Sequence, residues 1–289
     1  MSRIEIGTGR LRAAFESRGA QLRSLRLDGT ELLWQAEDPW HYSAPVLFPL
    51  ISKLPDNRLV HAGRTHDIPS HGVARTAEWE SIDHAPDTAS YVLRSSAETR
   101  EAFPFDFVLL LEARVSRSSL ELAYTVTNTG DETLPFLLGG HPAFHWPLPG
   151  AVADAPHTVT WGSGGSTMRQ AVNGLRPGRL DSPVVDGDLV LRREYFAEDA
   201  LLFDDIDPRV ATYTAPGAAA VTLHYADYPV LGVWSKPGDD AAFVCLEPWS
   251  GYPATADFAD DIVDLPGAEL LAPETSRTFL HTIEIGNPA

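Results

Sequence analysis

Hydrophobic positions along this chain recur with a period of two. In Ser119–Asn128, Leu120, Leu122, Tyr124 and Val126 alternate with Glu121, Ala123, Thr125 and Thr127. Successive strand side chains point to opposite faces, so this spacing predicts a strand with one face buried. Just upstream, Phe105, Phe107, Leu109, Leu111, Ala113 and Val115 form a longer alternating set, and Phe279, Ile283 and Ile285 repeat the pattern near the end. Shorter strands are predicted over 3–6, 21–27, 65–68, 77–82, 91–94, 219–225 and 242–246. No segment carries a long amphipathic stripe of helical period. The 23 prolines and 22 glycines are spread along the chain and punctuate these runs with turns. Many short strands with scattered turns predict an all-β sandwich or barrel. The stretch 147–187, with Gly162, Gly164, Gly165, Pro177 and Gly178, reads as long loops, and strand patterns resume after it without a change in composition. The chain is therefore read as one domain, 1–289.

Composition narrows the partners. The 289 residues carry 40 acidic against 22 basic side chains, a formal charge of −18. Such a field repels polyanions and anionic membrane surfaces, so neither nucleic acid nor membrane is an expected partner. No apolar run approaches the roughly 20 residues of a bilayer span. Arg3 and Glu5 interrupt the apolar stretch that an export signal would need. Cys245 is the single cysteine and cannot form an internal disulfide. Together these features predict a cytoplasmic protein.

Four places carry candidate chemistry. In Pro69-Ser70-His71-Gly72-Val73-Ala74-Arg75, a glycine after the histidine permits a sharp turn that presents the imidazole, the alternative being a surface turn histidine. In Leu138-Gly139-Gly140-His141-Pro142-Ala143-Phe144, two glycines allow close backbone approach and Pro142 holds His141 extended, the alternative being a strand-end bulge with a core histidine. In Phe243-Val244-Cys245-Leu246-Glu247-Pro248-Trp249, an apolar strand ends in a carboxylate, whose burial is costly without a partner. A solvent-facing edge glutamate is the alternative there. Cys245 shares a face with Glu247, but its apolar neighbours supply no cation to make it a nucleophile. Trp34, Trp40, Trp234 and Trp249 lie in or beside polar loops, where flat rings suit either sugar faces or a sandwich core.

Other patterns point nowhere specific. His61, His66 and His71 recur every five residues and share neither a strand face nor a helix face, and no H-x-H or H-E-x-x-H is present, so no metal is expected. Asp257, Asp260, Asp261 and Asp264 fit one solvated face of a short helix, while Asp204, Asp205 and Asp207 miss the calcium-loop spacing. There is no phosphate-binding G-x-x-x-x-G-K and no G-x-S-x-G elbow.

Two histidines and a glutamate at strand ends, with neither metal motif nor nucleophile, suit proton transfer. At these residues the sequence resembles the aldose 1-epimerase (galactose mutarotase) family, and within it the LacX-like branch. The segments are APVLFPLISKL at 44–54, PSHGVAR at 69–75, LPFLLGGHPAF at 134–144, EDALLF at 198–203, LGVWSKPG at 231–238 and FVCLEPWSGYP at 243–253, in the family's order across nearly the whole chain. The resemblance implies a galactose mutarotase-like β-supersandwich with its site on the concave face of a sheet. It implies that Glu247 is the base that takes the anomeric hydroxyl proton, that His141 is the acid that protonates the ring oxygen, and that His71 is the second active-site histidine. It further implies substrate contacts from Asp199, Arg75, Lys53 and Trp249. Relatives often have Gly-Arg where this chain has Ser52-Lys53, and a lysine supplies charge there without a bidentate fork.

The implied reaction opens the sugar ring to an aldehyde, rotates C1–C2 and recloses it. Nothing is oxidised, so no cofactor is expected. The expected partner is a small-molecule sugar, with the protein a monomer or homodimer. Three other readings stay open on sequence. A hexose-6-phosphate 1-epimerase needs a cationic clamp, for which Lys53, Arg58 and Arg75 are available. A non-catalytic carbohydrate-binding protein would keep the cleft alone, and a cupin-like enzyme would hold a metal.

Overall fold

A computed structural model describes residues 2–175, 178–238 and 241–288. Strands dominate it. Two large sheets carry most of the chain: one of nine strands, and one of eight that includes Val230–Trp234 and Phe243–Trp249. Smaller sheets are a four-stranded antiparallel one over the first 31 residues, the hairpin of Arg58–His61 with Arg64–Asp67, and the long-range pair of Leu134–Phe136 with Glu269–Leu271. The α-helical segment is the single stretch Ala97–Ala102 among the described residues, and no helix there is long and apolar enough to cross a membrane.

The alternation read from the sequence builds the nine-stranded sheet. Phe107–Val115 and Ser119–Asn128 pair antiparallel with Leu109 opposite Val126 and Leu111 opposite Tyr124, and Ser276–Pro288 adds to the other side of Ser119–Asn128. Their inward residues meet Phe136, in the small sheet of Leu134–Phe136 with Glu269–Leu271, and Tyr228, in the loop before Val230–Trp234, through rings. Phe279 packs at 6.2 Å from Phe136 and 5.5 Å from Tyr228, and His281 at 5.6 Å from Tyr228. The core formed by these contacts runs from Ile6 to Ile285. Phe243–Trp249 is buried at every position, as a strand covered on both faces must be.

Two local expectations change. The stretch 147–187 contains the strands Thr158–Thr160, Thr167–Gln170 and Leu180–Asp181. They are two to four residues long, too short for alternation to show; the first two form by pairing with strands about 30 to 56 residues on, and Leu180–Asp181 pairs with Thr167–Met168. Pro177 lies outside the described residues. The aspartates at 257–264 do not line a helix face: only Ile262–Asp264 makes a single 3₁₀ turn. Asp261 caps that turn through the Val263 N–H and also accepts from the Ala62 N–H and meets His61 Nδ1 at 3.1 Å.

The loop that carries His71 is fixed by backbone. The N–H groups of Val73 and Ala74 both donate to Phe48 O, at 2.9 and 3.1 Å. This requires Gly72 to adopt φ +73° against the 48–49 backbone, where an added Cβ would stand 2.3 Å from Phe48 O. Gly63 has nearly the same φ, +74°, with open space around it. Gly63→Ala therefore meets conformational strain alone, and Gly72→Ala meets strain plus a backbone collision. Denaturant titration should place Gly72→Ala below Gly63→Ala by about 1–3 kcal/mol; equal midpoints would show that the His71 loop is not held this way.

Candidate active site

Eight stretches of chain meet at one cavity of about 630 Å³, within the range of about 300–1,000 Å³ typical of small-molecule sites. Its lining includes His71, Arg75, His141, Asp199, Glu247, Trp249 and Lys53. Every residue singled out from the sequence as a site residue is thus brought to the same cavity.

The centre is a register consequence. Gly139 pairs with Trp249 and Ala143 with Cys245, and the Leu246 N–H donates to Pro142 O at 3.2 Å. The antiparallel register therefore puts His141 opposite Glu247, where cross-strand side chains stand face to face. His141 Nε2 lies 3.1 Å from Glu247 Oε2, with the two side chains 6% and 1% exposed. The solvent-facing alternative for Glu247 is excluded: its strand is central, flanked by Val230–Trp234 on one side and by the 139–145 segment on the other.

The glycines around the pair have distinct tasks. A Cβ on Gly139 would fall 2.7 Å from the Trp249 ring, and one on Gly232, which faces Glu247 from the other neighbour, would fall 3.2 Å from it. The indole is thus seated between two bare backbones. A Cβ on Gly140 would meet His281 at 3.0 Å. His281 stacks on Tyr124 at 5.7 Å inside the core, and burial pushes its pKa down to about 3, so a neutral ring backs the His141 segment.

Burial governs the electrostatics. It pushes the Glu247 carboxyl well above the ordinary range, an effect reinforced by the negative charge of Asp199 and partly offset by the Trp249 indole. It pushes His141 down to about 3, and the Arg75 charge acts in the same direction. His71 is held well below 6.5, first by burial of its ring and then by the His141 and Arg75 charges. The two imidazoles lie 5.5 Å apart at 72°. His71 Nδ1 accepts the Ser52 N–H at 3.1 Å, so the neutral ring carries its proton on Nε2 and is a donor there. Both His71 and Ser52 hold positive φ, 62° and 58°, a conformation fixed by this mutual contact.

Several buried polar atoms at the cavity have no hydrogen-bond partner: His141 Nδ1, Arg75 Nε, and the indole nitrogens of Trp234 and Trp249. Buried donors and acceptors are normally satisfied, and unsatisfied ones facing a cavity mark where a polar ligand belongs. Aromatic surfaces complete the wall: Trp40 lies 4.9 Å from the His141 ring at 30°, and Trp234 lies 5.5 Å from it edge-on. Trp34 instead packs into a buried cluster with Ala143, Phe243 and Cys245.

The remaining predicted residues are placed with partners. Asp199 accepts from the Gly174 N–H at 2.8 Å and the Ala200 N–H at 2.9 Å. Lys53 Nζ donates to Asn173 Oδ1 at 2.9 Å, and Ser52 Oγ to Gly174 O at 2.7 Å. These three links tie the 172–175 turn to the rim. Arg75 lies over the Tyr42 ring at 5.0 Å. Sequence reasoning missed Asn173, Gly174, Lys236 and the role of Ser52; the turn lies in the stretch read as loop, where no period or motif marks it.

The family model described as aldose 1-epimerase matches residues 2–256. The chain is 26% identical to Protein LacX, chromosomal, of Lactococcus lactis subsp. lactis over 301 residues, covering 98% of this chain and 99% of that protein. Among solved structures it resembles a galactose mutarotase-like protein from Lactobacillus casei, with a TM-score of 0.91, 27% identity and coverage of 98% and 100% of the two chains. A galactose mutarotase related enzyme from Lactobacillus acidophilus has the same fold, with a TM-score of 0.91 at 24% identity over 100% and 98% of the chains. Nearly all-β architecture, a cavity built on strand ends and these likenesses agree: the chain belongs to the aldose 1-epimerase family.

Proposed function

We propose that the protein is an aldose 1-epimerase acting on a free aldose, with Glu247 as base, His141 as acid and His71 as the donor that polarises the ring oxygen. The observation that carries this reading is the buried Glu247–His141 pair, 3.1 Å apart on a cavity floor whose neighbouring polar atoms lack partners. The chain 1–289 is taken to act as one unit, which the continuous core supports.

The pair must carry one proton. Burial favours the neutral arrangement, carboxyl beside imidazole, over carboxylate beside imidazolium. Both arrangements hold the same number of protons, so passing between them needs no exchange with solvent. In the charged form, Glu247 removes the proton from the anomeric hydroxyl while His141 protonates the ring oxygen as the C1–O5 bond breaks. The products are an open-chain aldehyde and the neutral pair. The form that burial prefers therefore accompanies the intermediate least stable in water, which is differential binding in favour of ring opening. Rotation about C1–C2 and return of both protons give the other anomer.

The charges on the wall favour an uncharged sugar. Three cations, Lys53, Arg75 and Lys236, line the cavity beside two carboxylates, Glu198 and Asp199, and the Glu247–His141 pair adds no net charge. Each cation is also engaged: Lys53 with Asn173, Lys236 with Pro39 O, and Arg75 over Tyr42. Arg58, a candidate for a phosphate clamp, does not line the cavity.

Three outcomes follow. Glu247→Gln should slow catalysed mutarotation by about 10²–10⁴-fold in polarimetry. A carboxyl whose pKa is raised by folding destabilises the fold once pH exceeds its unfolded value, so this variant should also melt at or above the wild-type temperature at neutral pH. A variant with wild-type turnover, or one melting well below wild type, contradicts the assignment. Because His141 is depressed below 6.5, a second proton joins the pair only at lower pH. Catalysed kcat/KM should stay flat as pH falls through 6.5, whereas an acid limb centred there would mean an ordinary exposed histidine governs the rate. Finally, glucose and galactose should be turned over in preference to glucose 6-phosphate, and Lys53→Ala should raise KM more than it lowers kcat; preference for the phosphorylated sugar would favour the 6-phosphate epimerase, and binding without acceleration of any sugar would favour a non-catalytic carbohydrate-binding protein.

A further inference from the structure

The cavity floor brings a third group to the acid–base pair that proton transfer does not use. Cys245 stands two residues before Glu247 on the same strand face and pairs with Ala143, two residues beyond His141. A ring nitrogen of His141, Sγ of Cys245 and a carboxylate oxygen of Glu247 all lie within 4.8 Å of one another. All three residues are buried. Nδ1 of His141 has no hydrogen-bond partner, and Oε2 of Glu247 faces only His141 Nε2, at 3.1 Å.

We propose that this trio binds a thiophilic divalent cation, with zinc as its probe, and that the bound cation inhibits the enzyme. One nitrogen, one sulfur and one oxygen ligand, two of them on residues that line the cavity, supply the three protein ligands that an open tetrahedral zinc site needs. Bonds of about 2.0–2.3 Å place tetrahedral ligands roughly 3.3–3.8 Å apart, so the trio closes by about 1 Å through side-chain adjustment. His141 and Glu247 line the cavity, which gives the cation the entry route of the sugar. The formal charge of −18 draws cations toward the molecule.

Binding releases the thiol proton and the proton of the Glu247–His141 pair to solvent. The cation then faces a thiolate, a carboxylate and a neutral imidazole, so two positive charges meet two negative ones in a buried place. Neither member of the pair is left able to take or give a proton. The inhibition rests on the proposed acid–base roles; the binding rests on the geometry alone.

The test uses the purified full chain and its Cys245→Ala variant, with folding checked by circular dichroism. Cobalt(II) added to the wild type should give a thiolate-to-cobalt charge-transfer band that the variant lacks. Zinc should inhibit wild-type mutarotation, and the variant, with unchanged basal turnover, should need roughly tenfold or more zinc for the same inhibition. The spectrum needs no turnover, so it reads the site even where the epimerase reading fails. Cobalt bound without a thiolate band, no cobalt binding, or equal zinc sensitivity in both proteins would overturn the proposal.

Discussion

Everything at the cavity depends on holding a carboxyl group and an imidazole side by side out of water. An isolated buried carboxylate is costly enough that a protein normally neutralises it or removes it. Here Glu247 is kept, with His141 Nε2 facing its Oε2 at 3.1 Å and His141 Nδ1 left without a hydrogen-bond partner. Two consequences come from this one placement. The protonation equilibrium of the pair is displaced toward the neutral form, and the unsatisfied atoms give a hydroxylated ligand more to bond with than bulk water would.

The sheet makes the placement rigid. Glu247 belongs to a strand with hydrogen-bonded neighbours on both sides, and His141 is set opposite it by the same register that pairs 139 with 249 and 143 with 245. A slip of one residue would turn one of the two side chains to the other face and separate the pair. The glycines protect this arrangement by leaving room, at 139 and 232 for the Trp249 ring and at 140 for His281. His71 is held differently, from a loop, and its ring is locked by the Ser52 N–H so that one proton position remains.

The sequence made the long strands legible because their alternation runs for nine or ten residues, and it made the pair legible because a buried-looking strand ended in Glu247 and a Gly-Gly-His-Pro segment restricted His141. The short strands between 158 and 181 were not legible. Two to four residues carry no measurable period, and their pairing partners lie up to about fifty residues away. The aspartates near 260 misled for a related reason: spacing alone cannot distinguish a solvated helix face from Asp261 capping one turn while holding Ala62 and His61. Charge was the other blind spot. Lys53 and Lys236 are cations in the sequence, yet each acts first as a strut to another part of the wall.

That division between sheet and struts separates the reaction from the choice of substrate. In the proposed chemistry the pair touches only the anomeric oxygen and the ring oxygen, atoms common to every cyclic aldose. The parts of the wall that could distinguish one sugar from another are Asn173 and Gly174, held at the rim through Ser52, Lys53 and Asp199. They come from a stretch with little strand structure, tied on by side chains rather than by a ladder of backbone bonds. Changes there alter contacts with the far end of the sugar without disturbing the register that faces His141 with Glu247. A fold arranged this way can keep one proton-transfer geometry while its rim is remade for different aldoses.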